Sequence, residues 1–115
     1  MLTTKSKGAI ALAAAIGMMT GAAQAANHTV MIVDGGYFPE IVYVAPGDNI
    51  VFENWSEAEH VVSGPLGSWA SDPIAISGQF MLSVDETTPM TYSGLDIAGI
   101  EISGAISFDA PPLAD

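Results

Sequence analysis

The sequence predicts an all-β domain, an antiparallel sandwich or barrel, and three observations carry that prediction. Short segments rich in Val, Ile and aromatic residues recur at near-regular spacing. Gly, Pro, Asn, Asp and Ser fall between them as turn signals. No stretch beyond the first 25 residues sustains a helical period.

The N-terminal segment stands apart from this pattern. Lys5 and Lys7 precede an apolar run from Ala9 to Met19, which is too short to span a bilayer, and small residues lead to Ala23-Gln24-Ala25. A basic start, a short apolar middle and an A-x-A end mark a secretory signal. Residues 1–25 are therefore expected to be removed, leaving a chain that starts at Ala26 and works in the periplasm or outside the cell. Residues 26–109 form the expected domain, with 110–115 as a loose tail.

The first expected strand, HTVMIV, alternates about Val30 and Ile32. IVYV follows with the same β-branched bias and ends at Ala45-Pro46-Gly47-Asp48. Pro presets a negative φ and Gly accepts a positive one, so this tetrapeptide suits a type II turn. NIVFENW and EHVVSG are the next two strands. After a loop rich in Gly, Ser and Pro, QFMLSV places Phe80, Leu82 and Val84 on one side. MTYSG and ISGAISF close the set, with Ile102, Ile106 and Phe108 in register.

Composition narrows the chemistry. Roughly ninety residues suffice for one domain with a modest core, and half of the chain is apolar. There is no cysteine, so neither disulfides nor thiolate chemistry is available. Both basic residues lie in the expected signal, whereas all thirteen acidic residues lie beyond it. Nucleic acid and anionic membrane surfaces are thereby poor partners, while a basic protein or a metal cation such as Cu²⁺ is attracted.

From Phe38-Pro39, through Val44, Pro46-Gly47-Asp48, Phe52, Asn54 and His60-Val61-Val62, to Gly78-Gln79-Phe80, Thr91-Tyr92 and Gly104, the chain resembles a small cupredoxin of the amicyanin, pseudoazurin and plastocyanin kind. The resemblance implies a Greek-key β-sandwich with copper near one end. In that family a mid-chain His and a last loop carrying Cys, a second His and usually Met hold the metal. Here His60 stands at the first ligand position, Ser93 at the former Cys position, Asp96 where the second His belongs, and Glu101 and Ile102 near the Met position. Type 1 copper depends on the thiolate of a His₂Cys set, and a neutral hydroxyl is no substitute. The resemblance therefore implies a degenerate cupredoxin without a blue centre, for which no cofactor is required.

Three uses of the remaining loop stay open. His60, Asp96 and Glu101 form a harder, non-blue site for copper or zinc; or His60 is a hydrogen-bonded remnant; or Ile97, Ile100 and Ile102 form an apolar contact patch. A hydrolytic Ser93-His60-Asp96 set lacks a nucleophile-turn motif, so the protein reads as no enzyme. Trp55 and Trp69 read as core packing or surface cover. Asn27-His28-Thr29 and Asn54-Trp55-Ser56 match the glycosylation pattern, which matters only in a host that uses it. Cleavage after Ala25 would also create a second copper candidate, in which the Ala26 amine, the Asn27 and His28 amides and the His28 imidazole offer Cu²⁺ a square plane of nitrogens. The function expected is binding, of a basic exported protein or of copper, and not electron transfer.

Overall fold

A computed structural model describes the protein over residues 25–112. The expected signal segment and the end of the tail lie outside the described residues. Among the described residues, seven strands and one short 3₁₀ turn, Pro65–Gly67, make up the regular structure. In chain order the strands are β1 Asn27–Val33, β2 Gly36–Phe38, β3 Ile41–Tyr43, β4 Asn49–Asn54, β5 Gln79–Ser83, β6 Thr91–Leu95 and β7 Glu101–Ser107. Among the described residues, no helix is long and apolar enough to cross a membrane.

The strands divide into a four-stranded sheet, β2-β1-β4-β5, and a three-stranded sheet, β3-β7-β6. The period-2 patterns explain the two-layer arrangement. Val30 and Ile32 of β1, Ile50 and Phe52 of β4, and Val42, Tyr92, Ile102 and Ile106 of the facing sheet are all buried between the layers. The sandwich is mixed in its pairing. β1 lies parallel to β4 and β3 parallel to β7, whereas β1–β2, β4–β5 and β6–β7 are antiparallel. Parallel neighbours arise because the chain crosses to the other sheet between them.

The turn at Ala45–Asp48 forms as its residues dictate. Asp48 N–H donates to the Ala45 carbonyl at 3.0 Å, and Gly47 adopts φ of 99°. Three elements depart from the sequence reading. The hairpin strand β2 was not expected, since only three residues pair with β1. Residues 60–63 form no continuous strand; they make single bridges to Ile74, Ala70 and Ser93. Their alternation nevertheless survives, with His60 and Val62 buried and Val61 exposed. Finally, Phe80 and Leu82 are only half-buried, because β5 is an edge strand with one neighbour.

Candidate functional site

The end of the sandwich beyond β4 is organised by Asn54. Its buried amide donates to the carbonyls of Ala58 at 2.8 Å and Ile74 at 2.9 Å, while its Oδ1 accepts from the backbone and hydroxyl of Ser56. These bonds fix the tight turn that delivers His60. A reciprocal pair of backbone bonds then ties His60 to Ile74. The same commitment closes the second glycosylation pattern, since the Asn54 amide is spent inside the fold.

His60 is 4% exposed and its Nε2 lies 2.7 Å from the Tyr37 hydroxyl. Tyr37, 6% exposed, reaches it from β2. Burial holds the His60 pKa below the usual imidazole range, partly offset by a hydrogen bond to the Leu95 carbonyl. A neutral imidazole carries one N–H and one lone pair, and in the tautomer with its proton on Nδ1 the Tyr37 hydroxyl donates to Nε2. Burial likewise raises the pKa of Tyr37 and of Tyr92 above the ordinary phenol range. At neutral pH the centre of this end is thus an uncharged imidazole–phenol pair.

Gly94 covers the pair. A Cβ on it would fall 2.5 Å from His60 Nε2, 2.6 Å from the Val61 carbonyl oxygen and 2.7 Å from the Tyr37 hydroxyl. No side chain fits there. Because side chains alternate along β6, Tyr92 and Gly94 face inward and Ser93 faces out. Ser93 exchanges backbone bonds of 2.9 Å with Ser63 and pairs with Ser103 in the ladder. The inward position beside His60 therefore belongs to Gly94, one residue from the former ligand position expected at Ser93.

The other expected ligands are used elsewhere. Asp96 Oδ1 accepts from the backbone N–H groups of Ala98 and Ile100, both at 2.9 Å, and so closes the loop between β6 and β7. Glu101 is exposed and sits opposite Leu95 at the start of β7. Among the described residues no three His, Asp or Glu side chains are grouped to hold a metal ion. His60, Asp96 and Glu101 are thus not brought together, because the carboxylates turn toward backbone donors and solvent while the imidazole turns inward. For the same reason His60, Ser93 and Asp96 form no hydrogen-bonded chain; the partner of His60 is Tyr37.

At the opposite end of β1, the residues of the second copper candidate are built into the sheet. His28 Nε2 lies 2.9 Å from Asp48 Oδ2, Ala26 N–H donates to Asp48 Oδ1 at 3.1 Å, and Asn27 pairs with Asn49 in the parallel ladder. Bonds from Ala45, Ala26 and His28 lower the Asp48 pKa from 3.8 to about 2. Square-planar copper at these residues would use the Asn27 and His28 amides and the His28 imidazole, which here belong to β1 and to the Asp48 contact.

The two tryptophans differ. Trp55 is exposed, its Nε1–H donating to Glu53. Trp69 stacks on Phe80, with ring centroids 6.2 Å apart and planes within 9°, as core packing predicts. The site residues that the sequence reading missed are Tyr37 and Gly94. A phenol two residues before Pro39 gives no signal by itself; only the β2 pairing reveals that it faces His60.

No family model and no curated protein matches this chain. Solved structures do. A purple cupredoxin from Nitrosopumilus maritimus superposes with a TM-score of 0.53 at 13% identity, over 70% of this chain and 99% of its own. A pseudoazurin from Sinorhizobium meliloti gives 0.52 at 15% identity, over 75% of this chain and 76% of its own. A Cu(I) form of an amicyanin mutant gives 0.50 at 20% identity, over 76% and 88%. The chain has the cupredoxin fold. Its own residues do not fit type 1 copper: no cysteine exists anywhere in the sequence, and the space beside His60 is filled by the Tyr37 hydroxyl under Gly94.

Proposed function

We propose that this cupredoxin-like domain is an exported protein-binding module, neither a type 1 copper electron carrier nor an enzyme, and that its working surface is the end above His60. The observation that carries this reading is the apolar character of that surface. Leu95, Ile97 and Ile100 are 62%, 57% and 63% exposed, and Val61 beside them is 44% exposed. An asparagine or serine would satisfy the same loop geometry at far lower solvation cost. Glu59, Asp96 and Glu101 stand around this patch, and no Lys or Arg occurs anywhere after Lys7. An apolar centre within an acidic rim suits a partner that presents an apolar contact inside a basic patch.

The test is affinity capture from the exported fraction of the native host with three baits: wild type, Ile97→Ser/Ile100→Ser, and Met81→Ser as an exposed control on β5. A basic protein held by wild type and control, lost by the double variant, and held more weakly between low and physiological salt supports the reading. Equal retention by the double variant excludes the patch as the binding surface.

A further inference from the structure

We propose that Tyr37 and His60 form a proton-coupled one-electron redox site, in which an oxidant withdraws an electron from the Tyr37 phenol as its proton passes to His60 Nε2. The Tyr37 O–H bond breaks and an Nε2–H bond forms. The products are a neutral tyrosyl radical, an imidazolium and the oxidant reduced by one electron; re-reduction reverses each change. The oxidant required is a strong one-electron acceptor such as a high-valent metal–oxo species or a photogenerated metal polypyridyl complex. This inference is independent of the partner-binding reading.

Three observations carry it. The first is geometric: at 2.7 Å the hydroxyl and Nε2 are already at proton-transfer distance, so no rearrangement precedes the step. A phenol oxidised without losing its proton becomes a very strong acid, and a base in place removes that obstacle. The second is the protonation pattern. Burial keeps the ring neutral, and in its Nδ1–H tautomer the Nε2 lone pair is directed at the phenol. Once Nε2 is protonated, the Leu95 carbonyl also stabilises the new positive charge.

The third observation is the setting. The Tyr37 ring packs edge-on against Tyr92 at 4.9 Å and Phe52 at 6.4 Å between centroids, and Gly94 closes the outer side. A radical there is shielded from water and from coupling with a second molecule. Gly94 lies against His60 and adjoins the exposed Leu95, so an electron acceptor seated on that loop is near the pair. Tyr92 supplies an internal contrast: it is equally buried, yet its hydroxyl has no hydrogen-bond partner among the described residues. Of two neighbouring phenols, only Tyr37 has a base to receive its proton.

The experiment is flash oxidation of the full protein by a photogenerated ruthenium(III) polypyridyl complex, followed by electron paramagnetic resonance with ring-deuterated tyrosine. Exposed Trp55 and half-buried Tyr43 are the competing donors, so Trp55→Phe and Tyr43→Phe accompany Tyr92→Phe. The expected result is one tyrosyl radical whose g-values report a hydrogen bond, retained in all three of these variants and absent in Tyr37→Phe. In His60→Gln, which keeps an acceptor but not a base, its formation slows about a hundredfold, the low end of what a positioned base contributes. If Tyr37→Phe does not fold, the hydrogen-bonded wild-type signal and its slowing in His60→Gln decide the matter. A signal that moves with Trp55 or Tyr43, or an oxidation rate indifferent to His60→Gln, overturns the proposal.

Discussion

The two histidines of this chain occupy opposite ends of the β1–β4 pair and are held by opposite physics. His28 meets a carboxylate, Asp48, at a partly open strand start, where Asp48 also collects the N–H groups of Ala26 and Ala45. His60 meets a phenol in the interior and carries no charge. A carboxylate next to His60 would have drawn an imidazolium into the core, at a desolvation cost that surface His28 never meets. At the His60 end an uncharged imidazole–phenol pair lies under Gly94, and the contact between a histidine and a carboxylate is at the far end.

That contrast predicts unequal sensitivity. The largest loss should come from Phe52→Ala, whose ring is fully buried and touches Tyr37 and Tyr92 edge-on. It should cost about 3–5 kcal/mol in urea unfolding, by removal of the ring and the cavity left behind. Phe80→Ala, on the half-buried edge strand, should cost only about 1–2 kcal/mol. Equal losses would mean that the His60 end does not rest on the Phe52 layer.

Next in size is the His60–Tyr37 bond itself. Tyr37→Phe keeps the ring and strands Nε2, at about 1–3 kcal/mol for an unsatisfied buried acceptor. The double variant Tyr37→Phe/His60→Leu should lose less than the sum of the single losses, because it leaves no orphan. His28→Ala, at the open end, should cost no more than about 1 kcal/mol. Strict additivity at the His60 end would show that the two side chains do not interact.

The sequence makes the sandwich legible because alternation needs only local information. The inward sets Val30/Ile32, Ile50/Phe52 and Ile102/Ile106 were readable, as was the type II turn at Pro46-Gly47. The site was legible only as far as His60. A one-residue register difference along β6 decides between Ser93 and Gly94, and a period of two turns that single step into the opposite face. Asp96 carried the ambiguity of any loop carboxylate, which serves a metal or a backbone N–H equally well until the loop's path is known. Tyr37 depended on β2, whose three residues are held mainly by their partner strand.

The smallest effects lie in the pH dependence, where the two ends separate cleanly. Burial lowers the folded His60 pKa below its ordinary 6.5, so the unfolded chain protonates first as pH falls. Stability from this group is therefore complete above about 6.5 and erodes below it, until the folded ring also titrates. Asp48 acts later. Its folded pKa of about 2 lies under its ordinary 3.8, so its contribution is complete above that ordinary value and disappears as pH falls through about 2. Asp85, lowered by its bonds to Thr87 and Thr88, adds to the same acid window. Urea midpoints from pH 8 to pH 2 should hence fall in two stages. His60→Leu should flatten the first stage and leave the second, whereas Asp48→Asn should shrink the second. If His60→Leu left the slope between pH 6.5 and pH 4 unchanged, the buried imidazole would not set the first stage, and the picture of a buried neutral end acting separately from the open Asp48 end would fail.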